Sequence, residues 1–212
     1  MASVLRVNPT RMELTQMKRR LLTARRGHKL LKDKRDEMVR QFMLRIRDNI
    51  ALRRQVEAEL ARAFGSFAMA RALMEPGSLN QALLYPARQA RLQVGRANIL
   101  SVRVPTLTVD EDSLRESRLP YGLAETSAQL DGAIEAMAGA LPQLLRLAEV
   151  EKTCAMLADE IQKTRRRVNA LEHVMIPQFE ETIRYISMKL DENERGNLTR
   201  LMKVKEMIKD RT

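Results

Sequence analysis

The residues best suited to chemistry in this sequence are few, and their spacing fits neither a catalytic nor a metal site. Gly27-His28-Lys29 lacks the preceding glycine and the following Ser or Thr of a phosphate-binding loop, which argues against nucleotide binding by that route. His28 and His173 are far apart, and neither belongs to a cluster with metal-ligand spacing. Cys154 is the single cysteine and has no neighbouring histidine, so we expect a small buried apolar side chain rather than a nucleophile. We therefore expect no catalytic residue, no cofactor and no metal.

Basic residues carry the strongest local signal. Between Pro9 and Ile50 there are thirteen Lys and Arg against five Asp and Glu, and the whole chain has a net charge of +11. A solvated helix face explains most of these residues one by one, whereas their concentration favours a surface that faces an acidic partner. The candidate partner-facing residues are Arg19, Arg20, Arg25, Arg26, Lys29, Lys32, Arg165, Arg166 and Arg167. Charge alone leaves nucleic acid, anionic lipid and an acidic protein surface open.

The elements that must position these residues are long helices. Thr10 and Glu13 have the spacing of a capping box, which predicts that a helix begins there. Between residues 14 and 70, a seven-residue repeat has apolar residues at eleven of its seventeen seam positions, a pattern typical of a coiled coil. Glu75-Pro76-Gly77 ends the pattern. A continuous helix up to Met74 would be on the order of 100 Å long, so it must pack lengthwise on something.

The last third of the chain offers a partner of matching length. Apolar residues keep the heptad spacing from Leu147 to Met175, and beyond Pro177 the stripe resumes one residue out of phase. A proline inside a helix removes a backbone hydrogen bond, so we expect a kink at Pro177 and a kink or break at Pro142. The predicted seam residues are Leu14, Leu21, Leu31, Met38, Phe42, Leu52, Val56, Leu157, Ile161, Val168, Leu171, Met175, Ile183, Ile186 and Leu190. An antiparallel pair within one chain buries both seams, and a homodimer through two separate coiled coils is the alternative.

The middle of the chain has a different pattern. Residues 78–85 favour a short helix, and Leu92-Gln93-Val94 and residues 99–104 have the apolar content of strands. We therefore expect a mainly α fold, a long two-stranded antiparallel coiled coil of N- and C-terminal helices with a small middle knob containing a β-hairpin. Its parts are an N-terminal coiled-coil helix over residues 1–74, the knob over residues 75–123 and a C-terminal helix over residues 124–212.

Cysteine use and hydropathy predict a cytoplasmic chain. The single cysteine cannot form an intrachain disulfide, and Met1–Val7 is too short for the apolar region of a signal peptide. No apolar run approaches the roughly 20 residues needed to span a bilayer. We therefore expect no direct membrane insertion.

Three stretches resemble a known family. They are PTRMELTQMKRRLLTARRGHKLLKDKRDEM at residues 9–38, NILSVRVP at residues 98–105, and LAEVEKTC, KTRRRVNALEHVMIPQFEETI and KLDENER within residues 147–195. All three are similar to the D subunit of V-type and archaeal-type rotary ATPases. The resemblance implies a non-catalytic central rotor shaft that transmits torque between the catalytic hexamer and the membrane ring.

The same resemblance implies the partners. Both chain ends would lie in the bore formed by the catalytic A and B subunits. The small F subunit would lie along the lower coiled coil, and the socket subunit of the d/C type would lie near the middle knob. The protein would then be cytoplasmic and peripheral at the inner face of the membrane, held there through the ATPase complex.

A basic coiled-coil protein that binds nucleic acid, or a scaffold homodimer, is the alternative function. Aromatic residues make up only 3% of the chain, and we find neither a stacking platform nor a recognisable nucleic-acid-reading module. We therefore expect no nucleic-acid partner.

Overall fold

The computed structural model describes residues 5–85, 90–110, 121–122 and 126–209. In chain order the elements are α1 (Arg11–Leu73), α2 (Pro76–Ala82), β1 (Leu92–Ile99), β2 (Val102–Val109), α3 (Ala128–Ala170), a π-helical turn (Leu171–Met175) and α4 (Ile176–Lys209). The fold is mainly helical, with long N- and C-terminal helices packed together and an antiparallel two-stranded hairpin in the middle, as the sequence predicts.

The ends of α1 follow from local chemistry. The Thr10 hydroxyl accepts a hydrogen bond from the Glu13 N–H at 3.2 Å, which confirms the predicted cap. At the other end α1 stops at Leu73, and Pro76 lies in the first turn of α2, where its missing N–H costs nothing. The sequence therefore sets both ends of a helix 63 residues long.

The start of the C-terminal helices differs from the sequence-based expectation. Residues 123–125, which include the predicted helix start, lie outside the described residues, and α3 begins at Ala128. The sequence predicts a kink or break at Pro142, and α3 continues through this residue, so the helix is not broken there. Pro142 is exposed, and a proline within a helix removes only one backbone hydrogen bond when the flanking turns are held by packing.

Two compact units divide the chain. The terminal unit is Met1–Glu37 with Ile161–Thr212, and the central unit is Met38–Glu160. Both α1 and α3 contribute residues to both units. Each unit therefore contains a length of α1 and a length of the later helices.

In the terminal unit, α1 and α4 run antiparallel. The ion pairs between the early and the late part of the chain are Arg11 with Glu194, Arg25 with Glu180, and His28 with Glu172. Residues later in α1 therefore pair with residues earlier in the C-terminal helices. The buried side chains of this unit are Met17, Thr164, Val168, Thr182 and Ile186. Two of them are threonines, so the seam here is narrow and partly polar.

An N-terminal strap, residues 5–9, leads into α1. Its burial alternates, with Leu5, Val7 and Pro9 half-buried between exposed neighbours, as in an extended chain with one side against the protein. The Leu5 N–H donates to the buried Thr182 hydroxyl at 3.1 Å, and that hydroxyl donates to the Gln178 carbonyl at 2.7 Å. Because α1 starts opposite Glu194, the strap folds back along α4 toward Thr182.

The central unit has two apolar clusters. The first joins the end of α1, helix α2 and the start of α3 through Ala70, Met74, Leu79, Ala82 and Leu130. The second joins β2 to α3 through Val102, Val104 and Leu157, with Phe42, Ala97, Ile99 and Met156 packed against it. The hairpin is therefore seated on α1 and α3 by the side chains nearest its turn.

The hairpin turn is the least expected local feature. Ile99 and Val102 form the closing pair of the ladder, and Leu100 and Ser101 between them have φ values of 51° and 74°. Left-handed φ at both positions defines the type I′ turn, for which Asn and Gly are the usual residues. The expectation of strand throughout residues 99–104 is wrong at this turn, because the apolar Leu100 hides it from a pattern based on hydropathy.

The π-helical turn joins α3 to α4. The Ile176 N–H donates to the Leu171 carbonyl, five residues earlier instead of the usual four, so the turn holds one extra residue. This extra residue accounts for the one-residue phase change that the sequence pattern shows at Pro177. Met175 leaves 42% of its surface exposed, and Ile176 beside it is half-buried. The wide turn therefore moves the inward position from Met175 to Ile176.

The predicted seam residues differ in burial. Met38, Val56, Leu157, Val168 and Ile186 are buried. The half-buried ones are Leu14, Leu21, Leu31, Phe42, Leu52, Ile161, Leu171, Ile183 and Leu190. A two-stranded contact covers only one side of each helix, so partial burial at many seam positions is the geometry expected of such a pair.

Candidate interaction surfaces

The nine candidate partner-facing residues are all exposed, and all lie in the terminal unit. Six are on α1, namely Arg19, Arg20, Arg25, Arg26, Lys29 and Lys32, and three are on α3, namely Arg165, Arg166 and Arg167. Arg25 is the one that forms an ion pair within the described residues, with Glu180 Oε1 at 2.6 Å. The other eight cations are therefore exposed without a carboxylate partner in the described part of the chain.

The antiparallel register sets the two basic groups one after the other. His28 Nε2 lies 3.2 Å from Glu172 Oε2, and counting back six residues from Glu172 puts Arg166 level with Lys34. Along the helix axis, residues 165–167 therefore lie beyond Lys32 and not beside Arg19 and Arg20. We call these nine residues together the basic surface.

Besides Glu180, an acidic group near this surface is Glu172, at the π-helical turn. The hydrogen bond from His28 lowers the pKa of the Glu172 carboxyl, and the neighbouring His173 and Lys32 side chains act in the same direction. His28 continues the seven-residue spacing of Leu14 and Leu21, and its side chain keeps 19% of its surface exposed. Glu172 thus stays charged and accepts across the helix pair.

Sequence reasoning missed a set of exposed apolar side chains among the basic ones. Met12, Leu22 and Leu30 expose 86%, 52% and 69% of their surface on α1. None of the three occupies a seam position of the heptad repeat, so the repeat could have predicted their exposure. These side chains add apolar area among the cations, as singly exposed apolar residues do on most protein surfaces.

The end of α4 also has an exposed apolar stripe. The heptad pattern continues through Leu201, Val204 and Ile208, yet these side chains are 65%, 46% and 63% exposed. All residues from Asp191 to Lys209 are exposed. The reason is the start of α1: Arg11 lies opposite Glu194, so within the described residues no helix faces the later part of α4.

The central unit has an open groove between α1 and α3. It has a volume of about 350 Å³ and is lined by Glu59, Arg62, Ala136, Gly139, Ala140 and Gln143. Gln143 Nε2 donates to Glu59 Oε1 at 2.9 Å, whereas the buried Gln143 Oε1 has no hydrogen-bond partner among the described residues. Glu59 follows Leu52 at seven-residue spacing, so a polar residue occupies the seam here, and Ala136, Gly139 and Ala140 leave room on the α3 side. The groove is therefore a concave, partly polar surface between the two helices.

A charged hydrogen bond fixes the hairpin to α3. The Leu107 N–H donates to Glu149 Oε2 at 2.8 Å in a partly buried contact. Beside the first apolar cluster, the hydroxyl of Tyr121 donates to Asp131 Oδ1 at 2.6 Å. Burial and this carboxylate raise the pKa of Tyr121 well above its usual value, so its hydroxyl stays a donor.

The structure offers no reaction centre in the part of the chain that it describes. No group of three His, Cys, Asp or Glu side chains comes together there as metal ligands would. Cys154 is half-buried, and burial raises the pKa of its thiol, which disfavours the nucleophilic thiolate. No described helix combines the length and apolar character needed to cross a bilayer. What the geometry provides is contact surface.

Comparison with known proteins agrees with this character. The family of ATP synthase D subunits matches residues 13–206. A protein named as the D subunit of V-type ATP synthase, from Thermoanaerobacter sp. (strain X514), is 55% identical over 97% of this chain and 98% of its own length. One of the same name from Clostridium botulinum (strain Langeland / NCTC 10281 / Type F) is 56% identical over 98% of this chain and 97% of its own length. The chain therefore belongs to the family of ATP synthase D subunits, the non-catalytic central-stalk subunits of V-type ATP synthases.

Proposed function

We propose that this chain is the rotor shaft of the complex and transmits torque between the catalytic hexamer and the membrane ring. The observation that carries the proposal is the antiparallel register of helices within each unit. Arg25 pairs with Glu180 in the terminal unit, and Glu59 meets Gln143 in the central unit. Two helices joined along their length resist twisting better than one, because their packed side chains must move together.

The proposal assigns partners to the three parts of the chain. Residues 1–74 and 124–212 supply the shaft, whose chain ends lie in the bore formed by the A and B subunits. The small F subunit lies along the lower coiled coil, for which the groove at Glu59 and Gln143 offers a seat. The socket subunit of the d/C type lies near residues 75–123. The complex then holds the chain at the inner, cytoplasmic face of the membrane.

The basic surface has a specific role in this proposal. Its exposed cations meet acidic groups on successive subunits of the hexamer as the shaft turns. An ion pair that is partly removed from water can favour one shaft angle over another, whereas a fully exposed pair contributes little. Exposed Leu22 and Leu30 between these cations supply apolar area that would shield such pairs from water.

Charge reversal tests this role. We would change Arg19, Arg20, Arg26 and Arg165–Arg167 to Glu, and leave Arg25 intact because it holds Glu180. We expect altered pausing during rotation and weaker coupling of ATP hydrolysis to rotation in the reconstituted complex. The matched control reverses Arg47 and Arg54, exposed cations of α1 in the central unit. Unchanged pausing and coupling in the first variant would remove this role from the basic surface.

Recovery from membranes tests the function as a whole. Tagged chain drawn from gently solubilised membranes should bring a hexameric ATPase and a small F-like subunit with it. Recovery of nucleic acid in place of these subunits, with binding that weakens steeply as salt rises, would support the nucleic-acid alternative. A homodimer measured by light scattering, with no other subunit present, would support the scaffold.

A further inference from the structure

The hairpin has one edge that the rest of the described chain leaves open. The hydrogen-bonding pattern identifies it. In a hairpin with a two-residue turn, the closing pair exchanges both of its backbone hydrogen bonds, and the ladder then alternates. Ile99 and Val102 are the closing pair, so the next bonded pairs are Ala97 with Val104 and Gly95 with Thr106. The remaining residues of each strand point their N–H and C=O groups away from the ladder.

Two observations support this assignment on β2. Pro105, which has no N–H, occupies one of the outward positions, where a strand can lack a donor without losing a ladder bond. Leu107 occupies another, and its N–H reaches Glu149 at 2.8 Å. The outer edge of β2 is therefore closed by a proline and by α3.

The outer edge of β1 is closed neither by a proline nor by a described residue of α3. Its outward amides belong to Leu92, Val94, Arg96 and Asn98, and all four residues are exposed. No described residue accepts a hydrogen bond from these amides. β1 contains no proline, and its pairing with β2 is continuous over eight residues without a bulge. Proteins usually protect such an edge, because it can pair with a strand of another chain.

The side chains on the outward face of the hairpin indicate the chemistry of an added strand. Near the base, Leu92 and Val94 expose 45% and 67% of their surface. Near the turn, Arg96 and Arg103 are diagonal neighbours on the same face, and neither has an ion pair among the described residues. Two like charges this close are unfavourable until an acidic group joins them.

We propose that the open edge of β1 binds an extended segment of a partner protein, as an added third strand. The segment carries apolar side chains that cover Leu92 and Val94, and acidic side chains that neutralise Arg96 and Arg103. Backbone hydrogen bonds provide affinity, and this arrangement of side chains provides selectivity. The inference concerns a part of the chain outside the basic surface and does not depend on the torque role.

Amide hydrogen exchange at single-residue resolution tests the proposal. The measurement compares the isolated chain with the complex that the chain forms in the cell, recovered from gently solubilised membranes. In the isolated chain, the amides of Leu92, Val94, Arg96 and Asn98 should exchange fast while those of Gly95 and Ala97 are protected. In the complex, the four outward amides should slow at least tenfold.

The pattern of protection separates the possible outcomes. A helix or loop lying over the hairpin would not accept from these four amides, and unchanged fast exchange in the complex overturns the proposal. Protection in the isolated chain also overturns it if it is independent of concentration, because the chain then covers its own edge. Protection of the isolated chain that rises with concentration would assign the edge to a second copy and overturn the heterologous partner.

Substitutions give a second, independent test. Val94→Pro removes one outward donor and leaves the ladder intact, as Pro105 does on β2, whereas Val94→Thr keeps the donor and is the matched control. In the complex, protection of Leu92 and Arg96 should fall at least tenfold in the proline variant alone. Continued protection of Ala97 in both variants verifies that the hairpin is folded. Equal protection of Leu92 and Arg96 in the two variants would overturn strand addition. The set of subunits recovered, measured separately, decides the torque role.

Discussion

The terminal and central units are built from the same helices but are held together in different ways. In the terminal unit, exposed ion pairs link the early and late parts of the chain, and buried Thr164 and Thr182 interrupt the apolar seam. The central unit has two apolar clusters, to which α2 and the hairpin contribute side chains that a bare helix pair lacks. The central unit therefore derives more of its stability from apolar burial, since a buried apolar side chain contributes more than an exposed ion pair.

This difference suggests a division of labour. A surface that must meet several partners in turn benefits from exposed charge and modest internal contacts, because ion pairs can be exchanged at small cost. A region that must keep one shape benefits from apolar clusters, because opening them exposes surface to water. The terminal unit has the first set of properties and the central unit the second.

The largest expected effect comes from a substitution in the apolar cluster that joins α1, α2 and α3 in the central unit. Leu130 is fully buried against Met74 and Leu79. Leu130→Ala should lower the free energy of unfolding by about 3 kcal/mol, because it leaves a cavity in a packed site. Urea denaturation measures the change. Leu22→Ala, at a half-exposed site of the terminal unit, is the control, and an equal loss there would contradict the difference between the units.

The next effect concerns the polar contact that ties the hairpin to α3. Glu149→Ala should cost about 2 kcal/mol, because the partly buried Leu107 N–H loses a charged acceptor. Glu149→Gln keeps an acceptor and should lose less than half as much. The urea midpoint and the exchange rate of the Leu107 amide measure both variants. Glu151→Ala, which removes an exposed ion pair with Arg53 at 3.7 Å, serves as the control and should change little.

In the terminal unit, a substitution of Thr182 by valine removes the buried hydroxyl under the strap and nearly keeps the shape of the side chain. Thr182→Val should cost about 1 kcal/mol, because the Leu5 N–H loses its acceptor. Faster exchange of the Leu5 amide would verify that the strap is released. The matched control is Thr199→Val, since Thr199 donates to the Arg195 carbonyl in the same way but holds no strap. An unchanged Leu5 amide would mean that the half-buried Val7 and Pro9 hold the strap without Thr182.

A substitution at the hairpin turn should stabilise the central unit. Replacing Leu100 with Asn and Ser101 with Gly puts residues that tolerate left-handed φ where the structure has φ of 51° and 74°. We expect a gain of up to about 1 kcal/mol, reduced by the apolar contact that Leu100 loses. Thermal unfolding measures the net change. A clear loss of stability would show that the contacts of the Leu100 side chain stabilise the fold by more than its backbone strain costs.

The smallest effect is a pH dependence confined to the terminal unit. The folded state lowers the pKa of Glu172, so its contribution is present above the unfolded pKa of about 4.5 and is lost as the pH falls through the folded value. Glu172 is exposed, and we therefore expect only a slight fall of the urea midpoint on acidification. Glu172→Gln should remove that part of the slope. The same slope in both proteins would assign the acid sensitivity to other carboxylates.

The sequence predicts most of the helical part of this fold, because its signals are local and periodic. Thr10 caps α1, Pro76 follows its end, and the phase change at Pro177 announces a local change in winding. The turn at Leu100 could not be predicted, because leucine rarely adopts the left-handed φ that its backbone has here. Pro142 lies within α3 without breaking it, so the local preference of a proline does not set a helix boundary there.

The candidate surface is predictable in composition but not in arrangement. Exposure of the arginines follows from their positions off the heptad seam. The pairing of Arg25 with Glu180, and the axial separation of Arg166 from the first arginines, depend on the register of helices far apart in the sequence. The open edge of β1 depends on which strand lies against α3, a long-range choice that no pattern within the hairpin encodes.

The π-helical turn at residues 171–175 separates two quantities that are normally tied together in a helix, its number of residues and the azimuth of its side chains. Five residues there advance the helix about as far around its axis as four would in regular winding, so removing one of them and restoring α winding would leave the later side chains facing nearly the same way. Thr182 would stay under the strap, and Glu180 would still face Arg25. The same deletion in a regular stretch of α4 would instead swing every later side chain by about 100° around the axis.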